Sequence, residues 1–523
     1  MGEAPGPGDG GALGPGHGEA LGPGHGEAAG PGHGEAAGPG HGEAAGPGHG
    51  EALGPGHSGT PGPADGMVTG RLRRAAPLAG LAARTAGESV IASLRRRPAG
   101  AEEYARRAER YVEVMGRSKG ALMKIGQIMS FVPFGSAVPP ENRAVYQAAM
   151  SRLQADAPPM APELTASVLE SELGGPPDRL FEEFSDRPIA AASIGQVHIA
   201  RLPGGRPVAV KVQYPGVAEA IRADLRNAEL VAVLFQMLRS VVPGLTRADP
   251  KTVAAEVSER IGEELDYRIE AAHQGFFAAA YAGHPYIHVP SVIAEYSTER
   301  VLTQELAEGL RWPEAIGQPQ ELRDRWAETI FRFALGSLRR LCAFNADPHP
   351  GNYVFRPDGS VSFLDFGCVK HFARDDVAHM RQIVRAAVAG DARALRAGFV
   401  EAGLFDAIGG PTAEETLAWY RPGFELITAP QPYTITPEMV ARVIENEFSP
   451  RGRYGRVVRS LVLPRDYVFL TRIDLGLMSV LAELRATGYW RAIQAELDEG
   501  ADPVTEMGRA DAAFWAAKTA EAV

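Results

Sequence analysis

The chain has 523 residues, 45% of them hydrophobic, and a formal net charge of −11, which gives no indication of a nucleic-acid partner. Its two cysteines, Cys342 and Cys368, exclude a disulfide framework and favour a reducing compartment. No run of eighteen apolar residues occurs, which excludes a transmembrane helix, and the N-terminus lacks the order of a secretory signal. We therefore expect a cytoplasmic protein, and the high usage of alanine, arginine and glycine is typical of a GC-rich bacterial genome.

Residues 1–66 form a low-complexity segment built on the octapeptide Gly-His-Gly-Glu-Ala-(Ala/Leu)-Gly-Pro. Glycine and proline dominate and no apolar face can be buried, so we expect disorder up to Met67. The regularly spaced histidines suggest metal binding. Because the glycine-rich spacer fixes no ligand geometry, a passive tail is favoured. The histidines are His17, His25, His33, His41, His49 and His57.

The charge balance reverses in residues 67–97, where seven arginines face one acid, Glu88. Apolar residues lie between the arginines, and such a segment can bind an anionic membrane at about 1 kcal/mol per cation near the surface. Pro77, Gly80 and Gly87 would interrupt a single helix. The two interpretations are therefore a peripheral membrane segment and a solvated helical lead-in to the rest of the chain.

Residues 188–198, Pro-Ile-Ala-Ala-Ala-Ser-Ile-Gly-Gln-Val-His, lie between two β-prone runs. An ordinary kinase has a glycine-rich loop here, so that the backbone can approach the phosphates of a nucleotide. In this chain the loop carries alanines at 190–192, and only Gly195 remains. Because alanine restricts φ, the loop should be stiffer and should hold nucleotide differently.

Residues 208–211, Val-Ala-Val-Lys, predict a buried strand that delivers the ammonium of Lys211 to phosphate oxygens. The alternative is a strand-end lysine that reaches solvent. The next acidic element, Glu-Leu-Asp-Tyr-Arg-Ile-Glu at 264–270, follows an unusually long insertion. Turn-forming residues divide this region into two predicted helices, 217–241 and 250–273.

The strongest indication of function is Asn-Ala-Asp-Pro-His-Pro-Gly-Asn at 345–352, followed by Asp-Phe-Gly at 365–367. Kinases hold Mg²⁺ and the phosphates of a nucleotide with residues in this order and at this spacing. Phosphoryl transfer needs metal ligands, a carboxylate near the acceptor and a cation on the phosphates. Asp347 is the predicted catalytic carboxylate, and Asn352 and Asp365 are the predicted metal ligands. Each motif alone is weak, but the ordered set is specific.

With these motifs the chain resembles the UbiB/AarF family of atypical kinases, which includes the mitochondrial coenzyme Q kinases. Two further motifs support the resemblance, which spans roughly residues 100–490. Lys-Ile-Gly-Gln at 124–127 looks like the family's K-x-G-Q motif, and residues 264–270 match its E-x-D element and the glutamate of helix αC.

The resemblance implies a role for each motif, with Mg²⁺ and ATP or ADP as cofactors. Glu270 would pair with Lys211 and fix it against the phosphates, and the strand ending at Glu305 and Leu306 would contact adenine through its backbone. The implied nucleotide-binding set is Ala190, Ala191, Ala192, Ser193, Gly195, Gln196, Lys211, Glu305 and Leu306. The helix that carries the K-x-G-Q motif would lie across the active-site cleft, and the acidic E-x-D element would hold it there. The implied regulatory residues are Lys124 and Gln127 of the helix and Glu264 and Asp266 of the E-x-D element.

We therefore expect an α+β, bilobal protein-kinase-like fold with an N-terminal helical extension and a helical insertion before helix αC. The β-prone run 301–306 and the amphipathic patterns at 413–420 and 467–484 predict one strand and two helices. The expected parts are a disordered tail at 1–66, a helical extension at 67–157, a small lobe at 158–306, a helical large lobe at 307–495 and a C-terminal tail at 496–523.

Three functional interpretations remain. The first is an Mg²⁺-dependent ATPase or small-molecule kinase that acts on isoprenoid quinone precursors or membrane lipids, peripheral at the inner face of the cell membrane. The second is a pseudokinase scaffold whose shape is switched by nucleotide, which the alanine-rich loop favours. The third and least favoured is an ordinary protein kinase, because Asn-Ala-Asp replaces His-Arg-Asp. The acceptor and the oligomeric state are not determined by the sequence.

Overall fold

The computed structural model describes residues 159–192, 194–225, 262–450, 452–462 and 465–521. The predicted tail at 1–66, the extension at 67–157 and most of the insertion lie outside these ranges. The same holds for three of the predicted site residues, Lys124, Gln127 and Ser193. The described residues contain both helices and sheet, as expected for the α+β class.

The small lobe is built on an antiparallel sheet that supports the lysine strand. The elements from residue 162 to 305 are α1 (Pro162–Leu173), α2 (Pro177–Leu180), β1 (Glu183–Phe184), β2 (Ala190–Ala192), β3 (Gly195–Arg201), β4 (Pro207–Gln213), α3 (Val217–Leu225), α4 (Tyr267–Ala280), β5 (Ile287–His288) and β6 (Val301–Glu305). Strand β5 does not join this sheet and pairs instead with residues 361–362 of the large lobe. The sheet order is β1-β3-β4-β6, and β2 pairs with β3. The predicted strands at 208–211 and 301–306 are confirmed as β4 and β6. From Val208 to Gln213 every residue of β4 is buried, because neighbouring strands and the lobe's apolar core enclose it.

Gly195 lies where β3 and β4 approach each other closely, and its partner across the ladder is Gln213. A Cβ atom at position 195 would overlap the backbone carbonyl oxygen of Val212. Packing therefore explains why position 195 in the alanine-rich loop is glycine, because only a residue without a side chain fits between these strands.

Helix α4 occupies the place predicted for helix αC and carries Glu270. Its N-cap is Asp266, whose carboxylate accepts a hydrogen bond from the backbone N–H of Arg268 at 2.9 Å. Residues 264 and 265 form a turn before it. The prediction of one continuous helix over 250–273 is therefore wrong, because the Asp266 side chain ends the preceding segment and begins a new helix.

The large lobe is mostly helical. Its elements are α5 (Trp312–Ala315), α6 (Gln320–Gly336), a π-helical turn (Ser337–Leu341), β7 (Ala343–Asn345), β8 (Tyr353–Phe355), β9 (Val361–Phe363), β10 (Val369–His371), α7 (Arg374–Ala389), α8 (Ala392–Glu401), α9 (Ala413–Tyr420), α10 (Glu425–Thr428), β11 (Tyr433–Thr434), α11 (Pro437–Phe448), α12 (Gly455–Ser460), α13 (Arg465–Glu483), β12 (Thr487–Gly488), α14 (Trp490–Glu499) and α15 (Glu506–Glu521). The helices predicted at 413–420 and 467–484 are confirmed as α9 and α13. No helix within the described ranges is both long and apolar enough to cross a membrane.

The segment predicted as a C-terminal tail instead contains helix α15, which packs on the helix that carries Glu270. Asp511 is 2% exposed and accepts hydrogen bonds from His284 at 3.0 Å and Arg340 at 2.9 Å. Lys518 Nζ donates to the carbonyl oxygens of Ala279 at 2.6 Å and Ala280 at 2.5 Å. These carbonyls end α4, so a cation there is favoured by the helix dipole. The sequence pattern missed this docking because α15 has no pronounced apolar face.

The close approach at Gly195 predicts a large loss of stability on Gly195→Ala, on the order of 2 kcal/mol or more, because the added methyl group meets backbone that cannot move independently. Gly275→Ala in α4 is the matched control, since no atom lies within 4 Å of a Cβ at that position. The control should be neutral or slightly stabilising. Urea unfolding of both variants checks this, and equal stability of the two would contradict the packing argument.

Candidate active site

Lys211 and Glu270 form a buried ion pair at the centre of the predicted site. Strand β4 delivers the lysine and helix α4 the glutamate, and their side chains are in direct contact. The Lys211 side chain is 9% exposed and the Glu270 side chain 6%. Asp365 is the second carboxylate near the lysine, with its Oδ2 atom 3.6 Å from Lys211 Nζ. The structure thus brings together three predicted residues that are far apart in the sequence.

The charge of Lys211 is fixed by this arrangement. Burial acts to lower the pKa of the ammonium, but the carboxylates of Asp365 and Glu270 more than offset this effect and raise the pKa above its ordinary value. Lys211 is therefore a cation at neutral pH. It is held in a single position, as required of a group that must meet phosphate oxygens.

Asp365 has an uncommon backbone conformation, with φ of 62°. A residue other than glycine in this region is strained by roughly 1 kcal/mol or more, so its surroundings must hold it there. Asn345 Nδ2 donates a hydrogen bond to the carbonyl oxygen of Asp365 at 3.0 Å, and Gly367 N–H donates to its carboxylate at 3.2 Å. These two contacts aim the Asp365 carboxylate, whose side chain is 33% exposed, into the cleft.

Asn345 also holds the catalytic loop. Its Oδ1 atom accepts a hydrogen bond from the backbone N–H of Asp347 at 3.2 Å, so one side chain links the two motifs that carry the predicted catalytic and metal residues. This residue was not among the predicted site residues. The signal was present, because Asn345 takes the place of the histidine in the His-Arg-Asp motif of ordinary kinases.

Asp347 and Asn352 lie side by side. Asn352 Nδ2 donates to the carbonyl oxygen of Asp347 at 3.1 Å and to its carboxylate at 3.2 Å. Because Nδ2 faces Asp347, the Oδ1 atom of Asn352 is the one left for a cation. The backbone of Asn352 accepts from Leu364 N–H at 2.8 Å, which ties this residue to the segment leading into Asp365.

Phe366 anchors the Asp-Phe-Gly segment in the core beneath α4. It is fully buried, and its ring lies 5.0 Å from that of Phe277. On the same helix, His273 Nδ1 lies 3.2 Å from the Phe366 carbonyl oxygen. Helix α4 therefore holds both Glu270 and the segment that follows Asp365, so its position sets the geometry of the whole site.

The catalytic loop packs closely on α13 from the other side. A Cβ atom at Gly476 would lie 2.5 Å from Cγ of Pro348, the residue after Asp347. Glycine at this point of the helix lets the loop approach the helix backbone. The large lobe thus supports the catalytic carboxylate through α13.

The alanine-rich segment is an exposed strand rather than an open loop. Ala190, Ala191 and Ala192 form β2 and pair with β3 at Val197, Gln196 and Gly195. This places three predicted nucleotide-binding residues at the sheet edge. Gln196 has a different environment, because its side chain is buried.

The side chain of Gln196 contributes to the core of the small lobe. Its Oε1 atom accepts from Met160 N–H at 2.8 Å, and its Nε2 atom donates to Thr165 Oγ1 at 3.1 Å and lies 2.8 Å from His198 Nε2. A contact between Gln196 and nucleotide would therefore have to use its backbone.

Glu305 and Leu306, predicted to contact adenine, border an open pocket of about 520 Å³. Glu305 N–H donates to the carbonyl oxygen of Ser291 at 2.9 Å, and Leu306 N–H donates to that of Pro207 at 3.5 Å. Because both N–H groups are paired within the protein, an adenine contact at these residues would have to use their carbonyl oxygens.

The E-x-D element lies at the start of α4. Asp266 caps the helix and pairs with Arg268 at 2.7 Å, and the hydrogen bond from Arg268 holds the pKa of the Asp266 carboxyl below its usual range. Glu264 lies in the turn before it. Their predicted partners, Lys124 and Gln127, lie outside the described residues, so the predicted contact remains a prediction.

Comparison with known proteins identifies the family. Residues 152–398 match the family model of the ABC1 atypical kinase-like domain. The chain is 35% identical over 290 residues to the mitochondrial atypical kinase COQ8B of Rattus norvegicus, which covers 54% of this chain and 52% of that protein. It is 32% identical over 277 residues to the mitochondrial atypical kinase COQ8 of Saccharomyces cerevisiae, 53% of each chain. The chain belongs to the ABC1 atypical kinase-like family.

A solved structure supports the kinase-like fold. The complex of Rv3197 with erythromycin from Mycobacterium tuberculosis is 33% identical, with a TM-score of 0.54, and covers 73% of this chain and 94% of that one. The resemblance to the UbiB/AarF atypical kinases is thereby confirmed. This ABC1 chain spans about half the length of the two curated relatives named above.

The double role of Asn345 predicts that Asn345→Ala lowers nucleotide turnover by about 10- to 100-fold, because losing its two hydrogen bonds releases both Asp347 and Asp365. Steady-state hydrolysis at saturating nucleotide measures the effect. Gln318→Ala, which removes an amide between α5 and α6 whose hydrogen bond to the Glu314 carbonyl oxygen is exposed, is the control and should retain wild-type turnover. An Asn345→Ala protein with unchanged turnover would show that the two loops position themselves independently.

Proposed function

We propose that this chain is an Mg²⁺-dependent ATPase or small-molecule kinase of the UbiB type that supports isoprenoid quinone or membrane lipid metabolism. The single observation that carries the proposal is the contact of Lys211 with both Glu270 and Asp365, made while Phe366 is buried beneath α4. This is the arrangement that phosphoryl transfer requires of a kinase-like site. The class of substrate rests on the family resemblance alone.

The donor atoms fit an Mg²⁺ ion bound together with nucleotide. Asp365 and Asn352 offer a carboxylate and an amide oxygen, and Mg²⁺ is typically bound by one or two such ligands together with phosphates and water. Within the described ranges no group of three or more ligating side chains is gathered, as a dedicated protein-only metal site would need. When bound, the ion would neutralise phosphate charge.

The residues of the chain then have separate tasks. Lys211, oriented by Glu270, binds phosphate oxygens. Asp347 lies beside the acceptor and takes its proton, and Asn352 holds the Asp347 carboxylate in place. Asn345 keeps the two loops at a fixed separation. Positioning and electrostatic stabilisation supply most of the rate enhancement in such sites.

The second candidate function is a scaffold whose shape is switched by nucleotide, and the pairing of β2 within the sheet favours it. The three alanines are hydrogen-bonded into the sheet, which limits how closely the backbone can approach phosphates compared with a glycine loop. In that case nucleotide would bind with little turnover and would organise partner enzymes. An ordinary protein kinase remains the least favoured function.

The test of the proposal is ATP turnover by the full chain with and without anionic vesicles, beside Asp365→Asn. We expect vesicle-stimulated hydrolysis that the variant loses, together with the loss of thermal stabilisation by Mg-ATP, because the variant removes a charged metal ligand. Asp502→Asn, an exposed acid outside the site, is the control and should behave as wild type. Binding without turnover in wild type would favour the scaffold, and undiminished Mg-ATP stabilisation of Asp365→Asn would overturn the site assignment.

The β2 alanines predict a second effect. Ala191→Gly should shift the ratio of ATP to ADP affinity by several-fold, because glycine restores φ freedom to an exposed strand next to the site. Isothermal titration with both nucleotides measures the ratio. Ala394→Gly, at an exposed position of α8 in the large lobe, controls for a general loss of stability. The same affinity ratio in Ala191→Gly and wild type would show that the alanines only pack.

A further inference from the structure

The large lobe contains an apolar cavity of about 250 Å³ that the proposed function does not use. It lies between α6, α7, α9, α11 and α13, where the two hydrophobic clusters of this lobe meet. Its lining includes Leu338, Phe344, Met380, Val384 and Leu477. An engineered cavity of about 150 Å³ is enough to bind benzene, so this volume admits a somewhat larger molecule.

Two acidic side chains, Glu447 of α11 and Asp474 of α13, interrupt the apolar lining. Asp474 belongs to the cavity lining and is an exposed residue, whereas Glu447 is half-buried. Within the described part of the chain, neither carboxyl group has a hydrogen-bonding partner. Such groups are costly to bury unless something compensates their charge.

The cation on the cavity wall is already engaged. Arg339 donates to Asp498 at 2.6 Å, and the same carboxylate lies 3.4 Å from Nε of Arg381. Asp498 is thus shared by two guanidinium groups, and the charge of Arg339 also acts on Asp474, where it lowers the pKa against the effect of burial. Burial raises the pKa of Glu447 to about 8 and that of Asp474 to about 6.

Two further features of the lining bear on what the cavity could hold. Trp419 lines the cavity and is 4% exposed, and its indole N–H has no hydrogen-bond acceptor among the described residues. A Cβ atom at Gly423 would overlap Oε1 of Glu447, so glycine at this position makes room for the carboxyl group. The wall of this one cavity therefore carries an unpaired indole N–H and a carboxyl group for which Gly423 leaves room.

We propose that this cavity binds a small lipophilic amine, on the order of ten non-hydrogen atoms, that also carries a hydrogen-bond-accepting oxygen. The ammonium group pairs with Glu447 and Asp474, the apolar body contacts the aromatic and aliphatic wall, and the oxygen accepts from Trp419 Nε1. An ammonium group can donate hydrogen bonds to both carboxyl groups, which have no hydrogen-bonding partner among the described residues, and so compensates their cost on an apolar wall. This site is separate from Lys211 and Asp365 and does not depend on the proposed function.

Calorimetric titration of the full chain with three matched probes tests the proposal. The probes are 3-(4-methoxyphenyl)propylamine, the corresponding alcohol, and 4-phenylbutylamine, which lacks the oxygen. We expect the methoxy amine to bind about tenfold or more tightly than the alcohol and several-fold more tightly than 4-phenylbutylamine. Equal affinities for amine and alcohol, or no binding of any probe at millimolar concentration, would overturn the proposal.

Isosteric variants locate the site. Asp474→Asn and Glu447→Gln keep the cavity's shape and should each remove most of the preference for amine over alcohol, whereas Trp419→Phe should remove the preference for the methoxy group. Glu499→Gln, an exposed acid, and Asp365→Asn, at the proposed nucleotide site, should bind the amine as wild type does.

Val384→Phe fills the cavity and should abolish binding. If this variant does not fold, the isosteric variants decide. Wild-type amine binding by both Asp474→Asn and Glu447→Gln would place the amine elsewhere.

Discussion

The ammonium of Lys211, buried between two carboxylates, is the interaction on which the site depends. A charge in this position is stable only if its partners are held in place, because an unpaired buried charge would cost several kcal/mol. Glu270 is one partner and Asp365 the other, and they come from different parts of the chain. The chain must therefore fix a helix and a loop at once, and much of the surrounding structure does this.

Helix α4 is fixed at both of its ends. Asp266 caps the first turn, and Lys518 of the C-terminal helix binds the carbonyl oxygens of the last turn. The loop that carries Asp365 is fixed by Asn345 and by the burial of Phe366 beneath the same helix. A change in the C-terminal helix can thus reach the proposed nucleotide site through the position of α4.

Helix α13 connects the second site to the first. Asp474 faces the apolar cavity, and two residues later Gly476 packs against Pro348 of the catalytic loop. An acid without a hydrogen-bonding partner on an apolar wall lowers stability, and glycine inside a helix does the same. Both residues lie on the same short stretch of α13. Asp474 places an acidic group on the cavity wall, and Gly476 lets the predicted catalytic loop approach the helix.

The sequence by itself determined the family and the α+β class and predicted the residues of the site, because metal and phosphate chemistry restricts residue type and spacing along the chain. The ordered residues Lys211, Asp347 and Asp365 needed no structure to be recognised. Only the tertiary structure decided that Asn345 joins the two loops and that the side chain of Gln196 turns into the core. It also decided that residues 506–521 dock on α4. These outcomes depend on contacts between distant segments, which local pattern and propensity do not encode.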